Sequence, residues 1–147
     1  MRHLQSIRDI LDYAIEQEAD ANRLYNQLAG EVDKDELRTA LKNFAIDEYR
    51  HKLRLEAVRD GDVELTSEQI GTLNYAQTLK EVKLRPQMSY PELLAYAIKK
   101  EAEAERLYTE LARRSTQEHI KELFTLLAQE EARHKLNLEI EYDLTTF

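Results

Sequence analysis

Two copies of one six-residue cluster place a glutamate three residues before a histidine: Glu48–Leu53 reads EYRHKL, and Glu131–Leu136 reads EARHKL. A lone glutamate lies thirty residues before each copy, and every member of the first set recurs 83 residues later. The candidate metal ligands are Glu18, Glu48, His51, Glu101, Glu131 and His134. Two glutamates and two Glu-x-x-His motifs on facing helices are a ligand set for a carboxylate-bridged pair of metal ions. The spacing therefore predicts a two-metal site.

Four amphipathic segments carry these residues, because apolar side chains recur in each at alternating steps of three and four. The segments run from about Leu4 to Ala29, from near Asp33 to Asp60, from near Ser89, and from near Ser115. Each apolar stripe is interrupted at its middle by the candidate ligands. A charged group in a core costs free energy unless it is paired or bound to a metal. Six such interruptions in four stripes favour a shared metal site over a network of Glu, His and Arg pairs.

Residues that favour helix ends bound these segments. They are Gly30 after the first, a possible Asp33/Glu36 capping box before the second, Asp60-Gly61 after it, Ser89 before the third with Pro91 and Glu92 in its first turn, and Ser115 or Thr116 before the fourth, with Glu118 completing a possible capping box.

The four carboxylates are predicted to share one layer. If the first turn is centred near Val32, Glu18 lies fourteen residues before it and Glu48 sixteen residues after it. Glu101 and Glu131 have the same separations from a turn near Ser115. At a rise of about 1.5 Å per residue, antiparallel helices then hold all four at nearly equal height.

The pattern predicts one all-α domain over residues 1–147, a four-helix bundle made of two duplicated helical hairpins. The first repeat covers about 4–60, a long crossover connection about 61–90, and the second repeat about 91–144. The crossover is too long for a hairpin loop but suits a connection along the bundle. Thr66–Ile70 is a candidate for a short helix within it.

Composition limits the function classes. The net charge of −8 argues against nucleic-acid binding, and there is no apolar run of about 20 residues for a membrane span. The first residues lack a secretory signal pattern, so we expect a soluble, cytoplasmic protein. Without cysteine, the chain has no disulfide and no thiolate ligand for zinc or iron.

Carboxylate oxygen and imidazole nitrogen suit Fe or Mn ions, or a mixed pair. Four carboxylates and two divalent ions bring the buried charge near zero. By the duplication, Glu18 and His51 would bind one ion, Glu101 and His134 the other, and Glu48 and Glu131 would bridge them. Open positions would accept O₂ or peroxide.

The chain resembles the rubrerythrin group of ferritin-like diiron proteins over nearly all its length. The residues that carry the resemblance are both Glu-x-x-His motifs and the Glu-x6-Tyr spacing, from Glu18 to Tyr25 and from Glu101 to Tyr108. The resemblance implies a diiron site that reduces hydrogen peroxide or O₂ with electrons from a rubredoxin-type protein. Rubrerythrin itself has a further glutamate where this chain has Ala104, so the ligand exchange ascribed to that glutamate does not carry over. The cysteine-rich rubredoxin domain is also missing, so electrons would come from a separate protein or from Fe(II).

The sequence allows two roles for each of four residues near the candidate ligands. Tyr25 and Tyr108 are candidates for contacts to ligand carboxylates or for ordinary core aromatics. Asp47 and Glu130, directly before the ligand glutamates, could contact a histidine of the opposite helix or lie on a solvated face.

Three functions fit the pattern: a diiron peroxide or O₂ reductase, a ferroxidase or iron-storage subunit, and a metal-stabilised structural bundle without turnover. Tyrosines on the outer helix faces, Tyr13, Tyr49 and Tyr96, make a homodimer plausible.

Overall fold

The computed structural model describes residues 6–61 and 88–146, which form four long helices. These are α1 (Ile7–Glu31), α2 (Asp35–Asp60), α3 (Tyr90–Arg114) and α4 (Glu118–Thr146). The predicted all-α four-helix bundle is confirmed. Leu4, the short helix predicted at Thr66–Ile70 and most of the predicted crossover lie outside the described residues.

Serine side chains begin two of the helices. The Ser6 hydroxyl accepts a hydrogen bond from the Asp9 backbone N–H (3.1 Å) at the start of α1. Helix α3 begins after Ser89 as predicted, with Pro91 and Glu92 in its first turn, and Ser89 and Glu92 form a capping box. These contacts satisfy backbone N–H groups that have no partner inside the helix.

Gly61 ends α2 as predicted, and the geometry shows why a glycine stands there. Its backbone N–H donates to the Ala57 carbonyl oxygen at 2.8 Å. A Cβ atom at position 61 would lie 2.6 Å from that same oxygen, closer than real Cβ contacts allow. Any other residue would therefore push the end of the helix away from this contact.

The start of α2 and the end of α1 differ from the sequence prediction. The Asp33/Glu36 capping box is wrong, because α2 begins at Asp35 with Lys34 as N-cap, and no described side chain caps it. The Arg38 guanidinium instead donates to the Asp35 carboxylate (3.0 Å) and to the Val32 carbonyl (2.8 Å), which fixes the turn from outside. Helix α1 continues through Gly30 to Glu31, one residue beyond the predicted stop.

The predicted capping box at Ser115 and Glu118 is also wrong. The Ser115 hydroxyl donates to the Leu111 carbonyl at 2.7 Å, so this buried side chain closes α3 and does not begin α4. Helix α4 begins at Glu118, and the Gln117 carbonyl accepts from the Ile120 and Lys121 N–H groups. Serine serves either helix end, and its sequence spacing does not decide which.

The bundle is built from two antiparallel hairpins, α1 with α2 and α3 with α4. Reciprocal contacts show that α1 and α3 are also antiparallel: Tyr25 meets Glu101, and Tyr108 meets Glu18. The same holds for α2 and α4. Helices α2 and α3 are therefore parallel, so α2 ends and α3 begins at opposite ends of the bundle. This placement of the two helix ends is the one that the predicted crossover connection requires.

Two apolar clusters fill the bundle on either side of its middle layer. One joins the beginning of α1 and α4 to the end of α2 and α3, and includes Leu11, Leu55, Leu111 and Phe124. The other lies at the opposite end and includes Leu28, Leu41, Leu94 and Leu138. The candidate ligands lie between the two. Among the described helices, none combines the length and apolarity needed to cross a membrane.

Candidate metal centre

All six candidate ligands are buried in the middle of the bundle, with at most 2% of each residue exposed. One glutamate comes from α1, one from α3, and a Glu-x-x-His motif from each of α2 and α4. On a helix, residues three apart share a face, so each motif directs both side chains inward. The helical period that places leucines in the core therefore also places the ligands there.

The six residues form two overlapping groups of four. Glu18, Glu48, His51 and Glu131 each offer one ligand atom, and these atoms lie within 4.8 Å of one another. Glu48, Glu101, Glu131 and His134 form an equivalent second group. Both groups contain Glu48 and Glu131. This is the grouping that the duplication predicts for two terminal sets and two bridges; the ligand roles themselves stay a prediction.

The Nδ1 atoms of the two histidines face the carboxylates. His51 Nδ1 lies 2.7 Å from Glu131 Oε1, 3.4 Å from Glu18 Oε2 and 3.5 Å from a Glu48 oxygen. His134 Nδ1 lies 3.2 Å from Glu48 Oε1 and 3.6 Å from Glu101 Oε2. Two overlapping sets of oxygen and nitrogen atoms thus converge within the bundle.

These atoms approach one another without the alignment of good hydrogen bonds. Each of the six residues has a buried polar atom without an aligned hydrogen-bond partner among the described residues: Glu18 Oε2, Glu48 Oε1, His51 Nδ1, Glu101 Oε2, both Glu131 carboxylate oxygens and His134 Nδ1. Buried polar atoms in native proteins are normally satisfied. Atoms that converge without satisfying one another fit ligands that share metal ions, and oxygen with imidazole nitrogen fits iron or manganese.

The electrostatics of the site also call for cations. Burial raises the pKa of Glu48 and Glu131 well above the ordinary value, and repulsion from Glu101 and Glu18 raises it further. Burial disfavours the charged form of His51, but contacts with Glu131 and Glu18 outweigh it and raise its pKa to about 11. The protein alone therefore holds protons in this layer, and two divalent ions would replace them as the neutralising charge.

Two buried tyrosines each donate a hydrogen bond to the candidate ligand glutamate of the other helix, between α1 and α3. The Tyr25 hydroxyl donates to Glu101 Oε1, and the Tyr108 hydroxyl donates to Glu18 Oε1, both at 2.5 Å. Burial, with the nearby carboxylates, raises the pKa of each hydroxyl well above its ordinary value. Both therefore stay protonated and leave the other oxygen, Oε2, of each glutamate turned toward the shared site.

Each histidine ring contacts, through its Nε2 atom, an acidic residue of the opposite helix. His134 Nε2 lies 2.9 Å from Asp47 Oδ2, and His51 Nε2 contacts Glu130 Oε2. Such partners fix the orientation of a ligand ring and make its other nitrogen a better donor to metal. The sequence allowed this role for Asp47 and Glu130 but favoured a solvated face at least as much. The signal was their position one residue before each ligand glutamate.

The two halves of the site differ in their aromatic neighbours. The Phe44 ring stacks on His134, with centroids 4.1 Å apart and planes at 28°. The residue 83 positions after Phe44 is Leu127, so His51 has no equivalent aromatic partner from the repeat. The duplication therefore gives two similar metal positions with different surroundings.

The sequence of the chain matches one known protein family. The family model described as Rubrerythrin matches residues 9–88 and 92–143, which is most of the chain. Searches of curated proteins and of solved structures gave no significant match.

Proposed function

The chain belongs to the rubrerythrin family of ferritin-like proteins, and from this we propose that it is a diiron oxidoreductase that reduces hydrogen peroxide or O₂. The observation that carries the proposal is the pair of overlapping ligand groups that share Glu48 and Glu131. Carboxylates that belong to both groups would hold two metal ions at the spacing of cooperative two-metal sites, about 3.5–4 Å.

Each side chain has a defined part in this proposal. Glu18 with His51, and Glu101 with His134, would bind one ion each, and Glu48 and Glu131 would bind both. The histidines present Nδ1 to the site because their Nε2 atoms contact Glu130 and Asp47. These contacts would hold both rings in place for metal, which favours reaction over rearrangement.

When bound, a pair of Fe(II) ions supplies two electrons, so that the O–O bond of hydrogen peroxide breaks and two protons complete two water molecules. The protein's part is to bind the ions, to keep the site within an apolar core and to hold protons nearby. The Tyr25 and Tyr108 hydroxyls hold protons at the Glu101 and Glu18 carboxylates. A separate rubredoxin-type donor would restore the two electrons.

The test is anaerobic Fe(II) loading, followed by separate additions of peroxide and O₂ under absorption spectroscopy. We expect two iron ions per chain and faster oxidation by peroxide than by O₂. Oxidation of many Fe(II) ions per chain, with iron retained as a mineral, would indicate a ferroxidase or storage subunit instead. Bound metal that responds to neither oxidant would indicate a structural role and would contradict the proposal.

A further inference from the structure

A cavity of about 40 Å³ lies between α1 and α3 and reaches the candidate metal centre. Glu18, Glu48, Glu101 and Glu131 form its inner end. All four are at least 98% buried, and each has a carboxylate oxygen without an aligned partner among the described residues. The cavity therefore ends at the polar atoms assigned to the metal ions.

The walls of the cavity come from equivalent positions of the two repeats. Ala21 and Ala104 contribute one such pair, and Leu24 and Leu107 another. The leucines are 4% and 3% exposed, whereas the alanines are half-buried. Small side chains beside the metal layer thus leave open space that larger ones would fill.

The outer end of the cavity is near neutral in charge. Of its two acidic residues, Asp20 pairs with the Arg23 guanidinium, and the Glu103 carboxylate lies 3.6 Å from Lys100 Nζ. Lys100 is the one cationic side chain among the described residues that line the cavity. Paired charges at the opening do not concentrate cations, so this end favours a neutral molecule over Fe(II).

We propose that this cavity is where the oxidant reaches the metal centre, and that Ala21 and Ala104 set its size so that it admits hydrogen peroxide but excludes organic hydroperoxides. The proposal rests on the proposed function and adds a substrate class to it. One water molecule needs about 10–15 Å³ of cavity volume, so a cavity of about 40 Å³ has room for a molecule of two oxygen atoms. The cavity does not also hold the bulky alkyl group of an organic hydroperoxide.

The main test is Ala104→Leu, which puts an isobutyl group into the cavity. Ala21→Leu fills it from the opposite wall, and Ala102→Leu is the control, because Ala102 is a half-buried alanine of α3 outside the cavity. Iron content, the absorption spectrum of the oxidised site and Tm are measured first, and we expect them to match the wild type. A crystal structure of the metal-free Ala104→Leu protein should show the leucine side chain in the cavity.

Stopped-flow oxidation of the reduced, iron-loaded proteins then gives the result. We expect hydrogen peroxide to react about tenfold more slowly, or slower still, with either filled variant, and at the wild-type rate with Ala102→Leu. Leu107→Ala, which enlarges the cavity, should raise the rate with tert-butyl hydroperoxide relative to hydrogen peroxide by a similar factor. Equal rates in all variants would overturn this inference alone, as would slower Fe(II) loading without slower peroxide reaction. A wild-type protein inert to both oxidants would overturn the proposed function and this inference together.

Discussion

Replacing Glu131 by glutamine should stabilise the metal-free protein and abolish its stabilisation by metal. The residue is fully buried and belongs to both ligand groups. Repulsion from Glu101, Glu18 and Glu48 adds to the burial that raises its pKa. Glutamine keeps the shape, is neutral without taking up a proton, and has one carboxylate oxygen fewer to bridge the ions. The same change should therefore stabilise the metal-free protein and weaken metal binding.

The two effects are large enough to separate. Replacing a buried ionic cluster by well-packed neutral side chains of similar volume can stabilise a protein by about 1–4 kcal/mol, and the environment of Glu131 as a whole disfavours its charge. A central value of about 2 kcal/mol corresponds to a rise of roughly 4–8 °C in the Tm of a metal-free chain of this size. A ligand at a hundred times its Kd stabilises the folded state by about 2.7 kcal/mol. The variant should lose that gain, since neither ion keeps its full ligand set.

Differential scanning calorimetry of metal-free and metal-loaded protein measures both effects. Glu48→Gln is the equivalent variant in the first repeat and should behave alike. Glu139→Gln, at an exposed position of α4, is the control. It should change the free energy of unfolding by no more than about 0.5 kcal/mol, with or without metal. A metal-free Glu131→Gln protein that melts several degrees below the wild type would refute the reasoning, because it would show that Glu131 belongs to a structural network that is complete without cations.

Three further predictions concern the residues around the ligands. Tyr108→Phe removes a buried hydrogen bond to Glu18 and should destabilise the metal-free protein by about 1.5–3 kcal/mol, measured by urea unfolding; an unchanged midpoint would contradict the contact. Asp47→Asn should lower the affinity for the ion beside His134 by roughly 10–100-fold and leave the affinity for the other ion nearly unchanged. Metal titration by calorimetry would then resolve two unequal sites. Because the folded protein raises the pKa of His51 from 6.5 to about 11, it holds a proton that the unfolded chain releases, so metal-free stability should fall as pH rises through that interval; a Tm at about pH 9 equal to or above that at about pH 6 would show the opposite sign.

The helices and their inward faces were predictable because periodicity reports burial directly. Leu11, Leu55, Leu111 and Leu138 lie on predicted stripes and are at most 2% exposed. The helix ends were less predictable, because a short polar side chain can serve several partners. Ser115 could have begun α4, but it is buried and bonds backward to Leu111.

The members of the candidate site were also readable from the sequence, because the duplication repeated every ligand at one offset. Their partners across the bundle were not. Spacing places Tyr25 on the same face as Glu18, yet its hydroxyl donates to Glu101 of α3. Which helices are neighbours, and at what height, decides such contacts, and a sequence pattern fixes neither. The cavity beside Ala104 was unpredictable for the same reason, since it depends on the distance between α1 and α3.

The central claim is that two cations neutralise the buried acidic and imidazole groups, and anomalous diffraction from crystals of the Fe(II)-reconstituted protein tests it most directly. We predict two iron peaks per chain about 3.5–4 Å apart, both within reach of Glu48 and Glu131, with His51 beside one and His134 beside the other. A single peak, or iron bound elsewhere on the chain while these six side chains stay unligated, would contradict the account.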